Sequence, residues 1–261
     1  MTRLRSFALT AVRVLALPAL LVGLWALVTS GSHSYYVSSP GQVASAFADT
    51  WLGSRLVEDV LPSVGRLAVG YLLAALIGIG LGVLVGRHAR VRAALEPVLE
   101  FFRATPPPVL VPLLILLAGV GDRMKVLVIV SGCVWPVLLN TVEGVRGIDQ
   151  ELIDTCRSYR IRGLARLRHL TLRAASPQIV TGLRQALSIG IILMVISEMF
   201  ASSSGLGFTI VQFQRTFAIP QMWGGIVLLG LLGFALALAF RVWERHVLSW
   251  YFGTRSEASG A

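Results

Sequence analysis

Residues 67–85 read LAVGYLLAALIGIGLGVLV, an apolar run without a single charge. A bilayer core of about 30 Å is crossed by about 20 residues of α-helix, so this run predicts a membrane span. The sequence predicts five more spans. They are Leu9–Val28, a span from near Val98 through Pro106-Pro107-Pro108 to Val120, Val126–Val142, Ile179–Ile196 and Met222–Phe240. The predicted fold is an all-α integral membrane protein with six transmembrane helices.

The composition agrees with a protein of the membrane. Of the 261 residues, 55% are hydrophobic and 14% are charged, and the mean hydropathy is +0.76. Soluble globular proteins carry roughly 25% charged residues. The chain has too little polar surface to cover a water-facing globule, which argues against a soluble enzyme.

The basic residues predict the orientation of the spans. The net charge is +10, and six spans with a cytoplasmic N-terminus would place 18 of the 23 basic residues inside. Arginine and lysine favour the cytoplasmic side, so both termini are predicted inside. The basic residues left outside are Arg55, Arg66, Arg123, Lys125 and Arg215. The alternative of a cleaved signal peptide at the first span is weaker, because its apolar run is long and lacks a small-x-small site.

The lone lysine limits the chemistry of the chain. A phosphate-binding P-loop needs Gly-Lys-Ser/Thr, and Lys125 lies between Met124 and Val126. This chain therefore does not hydrolyse ATP through that motif. The two cysteines, Cys133 and Cys156, look unpaired, and the four histidines lack metal-ligand spacing, so no metal site is predicted.

The chain divides into four predicted parts. Residues 1–42 hold the first span and an external start, 43–61 an external amphipathic helix over Val43–Val57, 62–243 the five-span core, and 244–261 a cytoplasmic tail. The charged residues Asp49, Glu58 and Asp59 of the external part are weak candidates for contact with a partner. A stripe of small residues in the second span favours close helix packing, either within the bundle or at a dimer seam. Its members are Gly70, Ala74, Gly78, Gly82 and Gly86.

The longest hydrophilic stretch, residues 143–177, has apolar residues at helical spacing on both sides of Gly163. This pattern predicts two short amphipathic helices at the membrane face, one before and one after the glycine. By periodicity alone, a basic helix lying on anionic lipid explains the stretch equally well.

Residues 154–160, DTCRSYR, and 171–179, TLRAASPQI, resemble the EAA loop of ABC-importer permease subunits, above all those of the nitrate, sulfonate and taurine type. That loop typically has Glu-Ala-Ala, a glycine four residues later, and then Thr-Leu-Pro-Ala-Ala-Leu-Pro. Asp154, Thr155 and Cys156 fall on Glu-Ala-Ala, and Arg160 falls on the glycine. Arg173 falls on the first proline and Pro177 on the second.

Further stretches resemble the family in order and spacing between Pro62 and Trp243. They are SVGRLAVG at 63–70, FRATPPP at 102–108, WPVLLNT at 135–141, GVR at 144–146, TGLR at 181–184, SEM at 197–199 and SGLG at 204–207. The resemblance implies the type I ABC-importer permease fold with a cytoplasmic EAA-like coupling loop.

The resemblance also implies a division of labour. The chain is then not an enzyme and binds no cofactor, and ATP and Mg²⁺ belong to two cytoplasmic ATPase subunits. A second permease copy, an extracytoplasmic substrate-binding protein and membrane lipid are the other implied partners; nucleic acid is not one. The implied location is the inner membrane of a bacterium, where the chain passes the membrane several times.

The implied cargo is a small solute, with a sulfonate, taurine or nitrate-like anion favoured. The alternative cargo is a thiamine-precursor pyrimidine or a riboflavin-like compound. Remoter alternatives are a secondary transporter, which would show internal repeats, and a membrane-anchored assembly protein. The cargo and the choice between homodimer and heterodimer stay open at the level of sequence.

Three groups of residues are candidates for function. The ATPase-coupling candidates are Asp154, Thr155, Cys156, Tyr159, Arg160, Gly163, Leu164 and Leu167. The gate or translocation-path candidates are Glu198, Ser202, Ser204, Gly205 and Gly207. Arg66 and Arg184 are predicted structural charges. A carboxylate within a span needs a partner, and Arg66 or Arg215 is predicted to pair with Glu198.

Overall fold

The structure is a computed structural model that describes residues 2–31, 36–200 and 202–251, with side chains from residue 16 onward except at residue 103. Residues 32–35 of the predicted external start and 252–261 of the predicted tail lie outside the described residues. The α-helices are α1 Thr2–Ser30, α2 Pro40–Trp51, α3 Leu61–Arg87, α4 Ala89–Ala104, α5 Val111–Ala118, α6 Asp122–Arg146, α7 Gln150–Ser158, α8 Gly163–Arg166, α9 Leu172–Phe200, α10 Leu206–Arg215 and α11 Ile219–Val247.

The core is built from α3, α6 and α9, with α6 packed between the other two. Its buried residues come from all three helices and include Leu67, Ala74, Ile129, Val137 and Met194. The outward faces of α3 and most of α11 are apolar and exposed. An apolar exterior around a packed helical interior is the arrangement that lipid favours.

The small-residue stripe of α3 packs against α6, so it lies within the bundle. A Cβ at Gly82 would lie 2.6 Å from the Cβ of Thr141, and one at Gly78 would lie 2.8 Å from the Cβ of Val137. On the other side of α6, a Cβ at Gly182 of α9 would lie 2.7 Å from the carbonyl oxygen of Pro136. Glycines on both neighbours therefore let three backbones approach closely.

Among the described residues, four helical bodies are long and apolar enough to cross a membrane. They are Leu56–Arg87, Asp122–Arg146, Gly163–Phe200 and Ile219–Val247. The pair α4–α5 makes a fifth if it is counted as one bent span. The described apolar part of α1, Ala16–Ser30, is shorter than the four long bodies. The four long bodies contain the predicted spans 67–85, 126–142, 179–196 and 222–240.

The predicted third span, from near Val98 to Val120, is broken at its prolines. Helix α4 ends at Ala104, Thr105 and Pro106 are extended, and a 3₁₀ turn over Pro107–Leu110 leads into α5. The two parts are bent by 82°. Proline lacks a backbone N–H and disfavours helical backbone in the residue before it, so consecutive prolines end α4.

The predicted amphipathic helix over Val43–Val57 begins and ends earlier than the sequence indicated, as α2. Ser39 caps it by accepting from the amide of Gln42, while the Gln42 side chain accepts from the amide of Ser39. Its last residue, Trp51, is fully buried against α11, where its Nε1 donates to the carbonyl of Gln221 at 3.2 Å. The π-helical turn Leu56–Val60 then leads directly into α3.

The close packing of α3 on α6 predicts different effects at neighbouring glycines. Gly82→Ala would force a methyl group into Thr141, and overpacking of this kind typically costs about 1–3 kcal/mol. Gly80→Ala is the matched control, because a Cβ there meets nothing within 4 Å. We expect the thermal unfolding temperature in detergent to fall for Gly82→Ala and not for Gly80→Ala. Equal melting temperatures would contradict the packing.

Candidate functional site

The loop between α6 and α9 carries the coupling candidates. It begins with α7, whose N-terminus is capped by Asp149, which accepts from the amide of Glu151 at 3.0 Å. Within α7, Asp154 accepts from Arg157 Nη1 at 2.7 Å, and both side chains are more than half exposed. The acidic residue that aligns with the family's glutamate is thus presented on the surface.

The turn after α7 forms a Schellman motif. The amide of Ile161 donates to the carbonyl of Cys156 at 2.8 Å, and the amide of Arg160 donates to that of Arg157 at 3.0 Å. This motif needs a left-handed residue, usually glycine, just beyond the helix end. Arg160 takes that place with φ +57°, although it is an arginine at the position where the family has glycine.

The segment after Gly163 is continuous with the fifth span, so the prediction of a separate second short helix is wrong. From Gly163, which has φ +59°, the chain runs through α8 and a π-helical turn over Leu167–Thr171 into α9. Arg173 stands where the family has proline, and α9 runs through this position and also through Pro177, where the family has its second proline. The result is one helical body of 38 residues, Gly163–Phe200.

The turn presents an apolar surface to its surroundings. Tyr159 is 75% exposed and Leu164 is 77% exposed, and Leu152 of α7 is also exposed. We call these three residues the apolar tip. Large apolar side chains exposed along one loop are typical of a contact surface.

The remaining coupling candidates differ in exposure. Thr155, Arg160 and Gly163 lie on the surface, whereas Cys156 and Leu167 are half-buried. Leu167 packs against the hydrophobic core, so its side chain belongs to the packing of the helix and not to the apolar tip.

The gate candidates lie at the opposite end of the same 38-residue helical body, Glu198 within it and the others just beyond it. The Glu198 side chain is 0% exposed, and both carboxylate oxygens accept hydrogen bonds. Oε1 accepts from Arg66 Nη1 at 2.8 Å and from Ser63 Oγ at 2.7 Å, and Oε2 accepts from the amide of Gly207 at 3.0 Å. Of the two predicted partners of Glu198, Arg66 is the one that pairs with it in the structure.

The residues around Glu198 hold the N-terminus of α10. The first amides of a helix have no partner within the helix. Here those of Gly205 and Leu206 donate to Asp59 Oδ1 at 2.9 Å and to Ser63 Oγ at 3.0 Å, and that of Gly207 donates to Glu198. Negative charge is also favoured at a helix N-terminus. We call Asp59, Ser63, Arg66 and Glu198 the Glu198 cluster.

The sequence around α10 is matched to this contact. Gly205 has φ +118°, and a Cβ there would lie 2.5 Å from the Glu198 carboxylate. A Cβ at Gly207 would lie 2.5 Å from the carbonyl oxygen of Val195. The two glycines therefore let α10 approach the carboxylate.

The serines before α10 bind basic side chains. Lys125 Nζ donates to Ser202 Oγ at 2.6 Å, and Arg66 Nη2 donates to Ser204 Oγ at 3.3 Å. Arg66 Nε also donates to Asp122 Oδ1 at 2.7 Å. The gate candidates are thus connected to α3 and to the start of α6.

Several residues of this site were missed from the sequence. Helix α10 and the roles of Ser63, Asp122 and Lys125 were not predicted, and Asp59 was considered for partner contact although it is buried. The spacing of Asp59, Ser63 and Arg66, four and then three residues apart, would have placed all three on one helical face.

Arg184 pairs with Glu244, a partner that was also not predicted. The contact joins α9 to α11 through Arg184 Nη2 and Glu244 Oε2.

Among the described residues, no group of three His, Cys, Asp or Glu side chains is arranged to hold a metal ion.

A family model described as the binding-protein-dependent transport system inner membrane component matches residues 74–250. The chain belongs to this family. It is a transport permease, and the EAA-like loop and the SGLG stretch both lie within the matched region.

Curated relatives resemble this permease along most of its length. The putative aliphatic sulfonates transport permease protein SsuC of Bacillus subtilis (strain 168) is 31% identical over 238 residues, which is 90% of this chain and 86% of the relative. The taurine transport system permease protein TauC of Escherichia coli (strain K12) is 29% identical over 77% of this chain and 73% of its own. The nitrate import permease protein NrtB of Leptolyngbya laminosa is 30% identical over 83% of this chain and 80% of its own length.

The permease also has the fold of a solved transporter chain. A structure of the MetNI methionine ABC transporter in inward-facing conformations matches with a TM-score of 0.65. The match covers 76% of this chain and 98% of that chain at 20% identity. At this identity the likeness concerns the fold alone.

The left-handed arginine predicts a stabilising substitution. A non-glycine residue in this conformation costs about 1–2 kcal/mol. We therefore expect Arg160→Gly to raise the free energy of local opening of the turn by about 1 kcal/mol relative to Arg162→Gly. Arg162→Gly is the control, because Arg162 has a φ of −130°, which any residue adopts without strain. Hydrogen exchange of the Ile161 amide measures this difference. Equal exchange rates in the two variants would contradict the strain.

The Glu198 cluster predicts strong coupling between two side chains. In a double-mutant cycle of Arg66→Leu and Glu198→Gln, we expect a coupling free energy of unfolding of about 2 kcal/mol or more, because the pair is desolvated. The same cycle with Arg215→Leu is the control, since Arg215 is exposed, and should give less than about 0.5 kcal/mol. A simple charge exchange is a poorer test, since it would place a cation against the amide of Gly207.

Proposed function

We propose that this permease imports a small anion such as a sulfonate, taurine or nitrate, which it receives from an extracytoplasmic binding protein. Two cytoplasmic ATPase subunits bind the apolar tip, and a second copy of the permease completes the path. The observation that carries the proposal is the apolar tip itself, exposed at the end of a helix that continues into the core. ATP and Mg²⁺ are bound by the ATPase and not by this chain.

In the proposed arrangement the chain crosses the membrane six times. Helix α1 is the first span, the bent pair α4–α5 is the third, and both termini are cytoplasmic. The excess of arginine on that side supports this orientation. The tip is then cytoplasmic and the Glu198 cluster is near the outer surface, where Asp49 of α2 and Glu58 of the π-helical turn are exposed to the binding protein.

The continuous helix supplies the mechanical link. A body of 38 residues at about 1.5 Å per residue is roughly 57 Å long. Closure of the ATPase around the tip moves this helix, and Glu198 at its far end moves α10 relative to α3. Glu198, Ser202, Ser204, Gly205 and Gly207 thus act as a gate that opens by exchanging the contacts of the Glu198 cluster.

The proposed cargo rests on the relatives. The names of the three relatives above refer to aliphatic sulfonates, taurine and nitrate, all of which carry an oxyanion group. Uptake of radiolabelled taurine and nitrate, with riboflavin as the competing class, tests the cargo in cells that express the complete transporter. Uptake of riboflavin alone would overturn the oxyanion assignment and leave the importer intact.

The apolar tip predicts loss of coupling when it is charged. In Leu164→Asp or Tyr159→Asp, a carboxylate would have to be desolvated in the contact with the ATPase. We expect the affinity for the ATPase to fall about 30-fold, the size typical of a central contact residue, and uptake to fall with it.

Membrane insertion should be unchanged in both variants, and co-purification of the ATPase measures the contact. Ser158→Asp is the control, because Ser158 is exposed in the same loop but is not one of the three tip residues. Normal uptake in both tip variants would refute the coupling role.

A further inference from the structure

A groove runs between α9 and α11 and joins three adjacent cavities. The first, of about 590 Å³, is lined by Arg184, Arg241, Glu244 and Arg245. A small one of about 110 Å³ shares Arg184 and Arg241 with it. A third, of about 330 Å³, shares Leu187 and Phe240 with the small one. We call the whole the α9–α11 groove.

The two ends of the groove differ in chemistry. The third cavity is lined by apolar side chains of α3, α9 and α11, including Leu72, Leu236 and Ala239. The first cavity is basic, because it contains three arginines and one carboxylate. Glu244 pairs with Arg184, so Arg241 and Arg245 add two further positive charges. In the described part of the chain, no carboxylate pairs with Arg241 or Arg245. The groove therefore combines an apolar trough with two uncompensated positive charges.

The position of the groove along α11 matches the layers of a membrane. Arg241 follows directly after the apolar run 222–240, so the basic end lies where the span leaves the hydrocarbon core. Trp243, which lines the third cavity, and Trp250 are partly exposed in the same part of the chain, and Arg173 lies over the Trp250 ring at 5.7 Å from its centroid. Tryptophan at the end of a span marks the headgroup level.

We propose that the α9–α11 groove binds one anionic phospholipid. Its phosphate lies among Arg184, Arg241 and Arg245, and one acyl chain follows the apolar trough. Basic pockets between transmembrane helices are suited to anionic headgroups, and an acyl chain fits walls that lack polar groups. This site is independent of the cargo proposed above.

A second copy of the chain is a less suitable occupant. A two-fold interface centred on the groove would place Arg241 and Arg245 opposite their own copies, and like charges facing each other cost free energy. A free oxyanion would balance the arginines but leave the apolar trough uncovered.

The test is retention of lipid by the purified full-length chain. Detergent-solubilised protein is mixed with phosphatidylglycerol or phosphatidylcholine, and bound lipid is counted by native mass spectrometry. We expect the wild type to retain phosphatidylglycerol selectively and the double variant Arg241→Gln/Arg245→Gln to bind it about 30-fold more weakly. Each arginine near an anionic headgroup contributes a factor of about five.

Two further variants separate charge from shape. Ala239→Phe fills the trough without changing charge and should also weaken retention, whereas Arg90→Gln/Arg92→Gln removes two arginines that do not line the groove and should not. Equal retention in the groove and control variants would overturn the proposal. So would displacement by millimolar inorganic phosphate with no effect of Ala239→Phe, which indicates a free-oxyanion site. A disulfide between two Ala239→Cys copies would assign the groove to an interface.

Discussion

A charged carboxylate with no exposure to water is stable only if cations and hydrogen-bond donors replace its hydration, and Glu198 is in this position. Its partners come from elements far apart in the chain: Arg66 and Ser63 from α3 and the amide of Gly207 from α10. The position of α10 follows from the need of Glu198 for donors, because the first amides of α10 supply one of them. Without Glu198, three helices would lose their common contact, and Arg66 would be left buried with only Asp122 as an ionic partner.

The close approach of α3, α6 and α9 makes the Glu198 cluster possible. Glycines on α3 and α9 let both helices lie against α6, and this packing sets the distance between Arg66 and Glu198. The loop between α6 and α9 is fixed by the same bundle, because its second half is the start of the helix that carries Glu198. Two surfaces of different chemistry are therefore built on one rigid element.

The sequence predicts the parts of this structure that depend on local pattern. Uninterrupted apolar runs predict the long spans, and Glu198 and Arg66 stand out as charges at the ends of these runs. The pairing with Arg66 instead of Arg215 could not be decided, because it depends on how the helices pack. The continuation of the helix from Gly163 into the fifth span was missed because the arginine-rich residues before Ile179 lie outside the apolar run that marks a span. Asp59 was misjudged because burial of a short acidic segment depends on distant amides, here that of Gly205.

The continuous helical body from Gly163 to Phe200 also fixes the direction of the apolar tip relative to that of Glu198. An α-helix turns by about 100° per residue, so one residue inserted in α9 between Leu172 and Glu198 would rotate the two ends against each other by that angle. Either the apolar tip would face a new direction, or Glu198 would leave Arg66. The turn at 159–162 is not helical and can absorb a change in length. A change in length before Gly163 therefore leaves the phase of α9 intact, whereas one within α9 alters it.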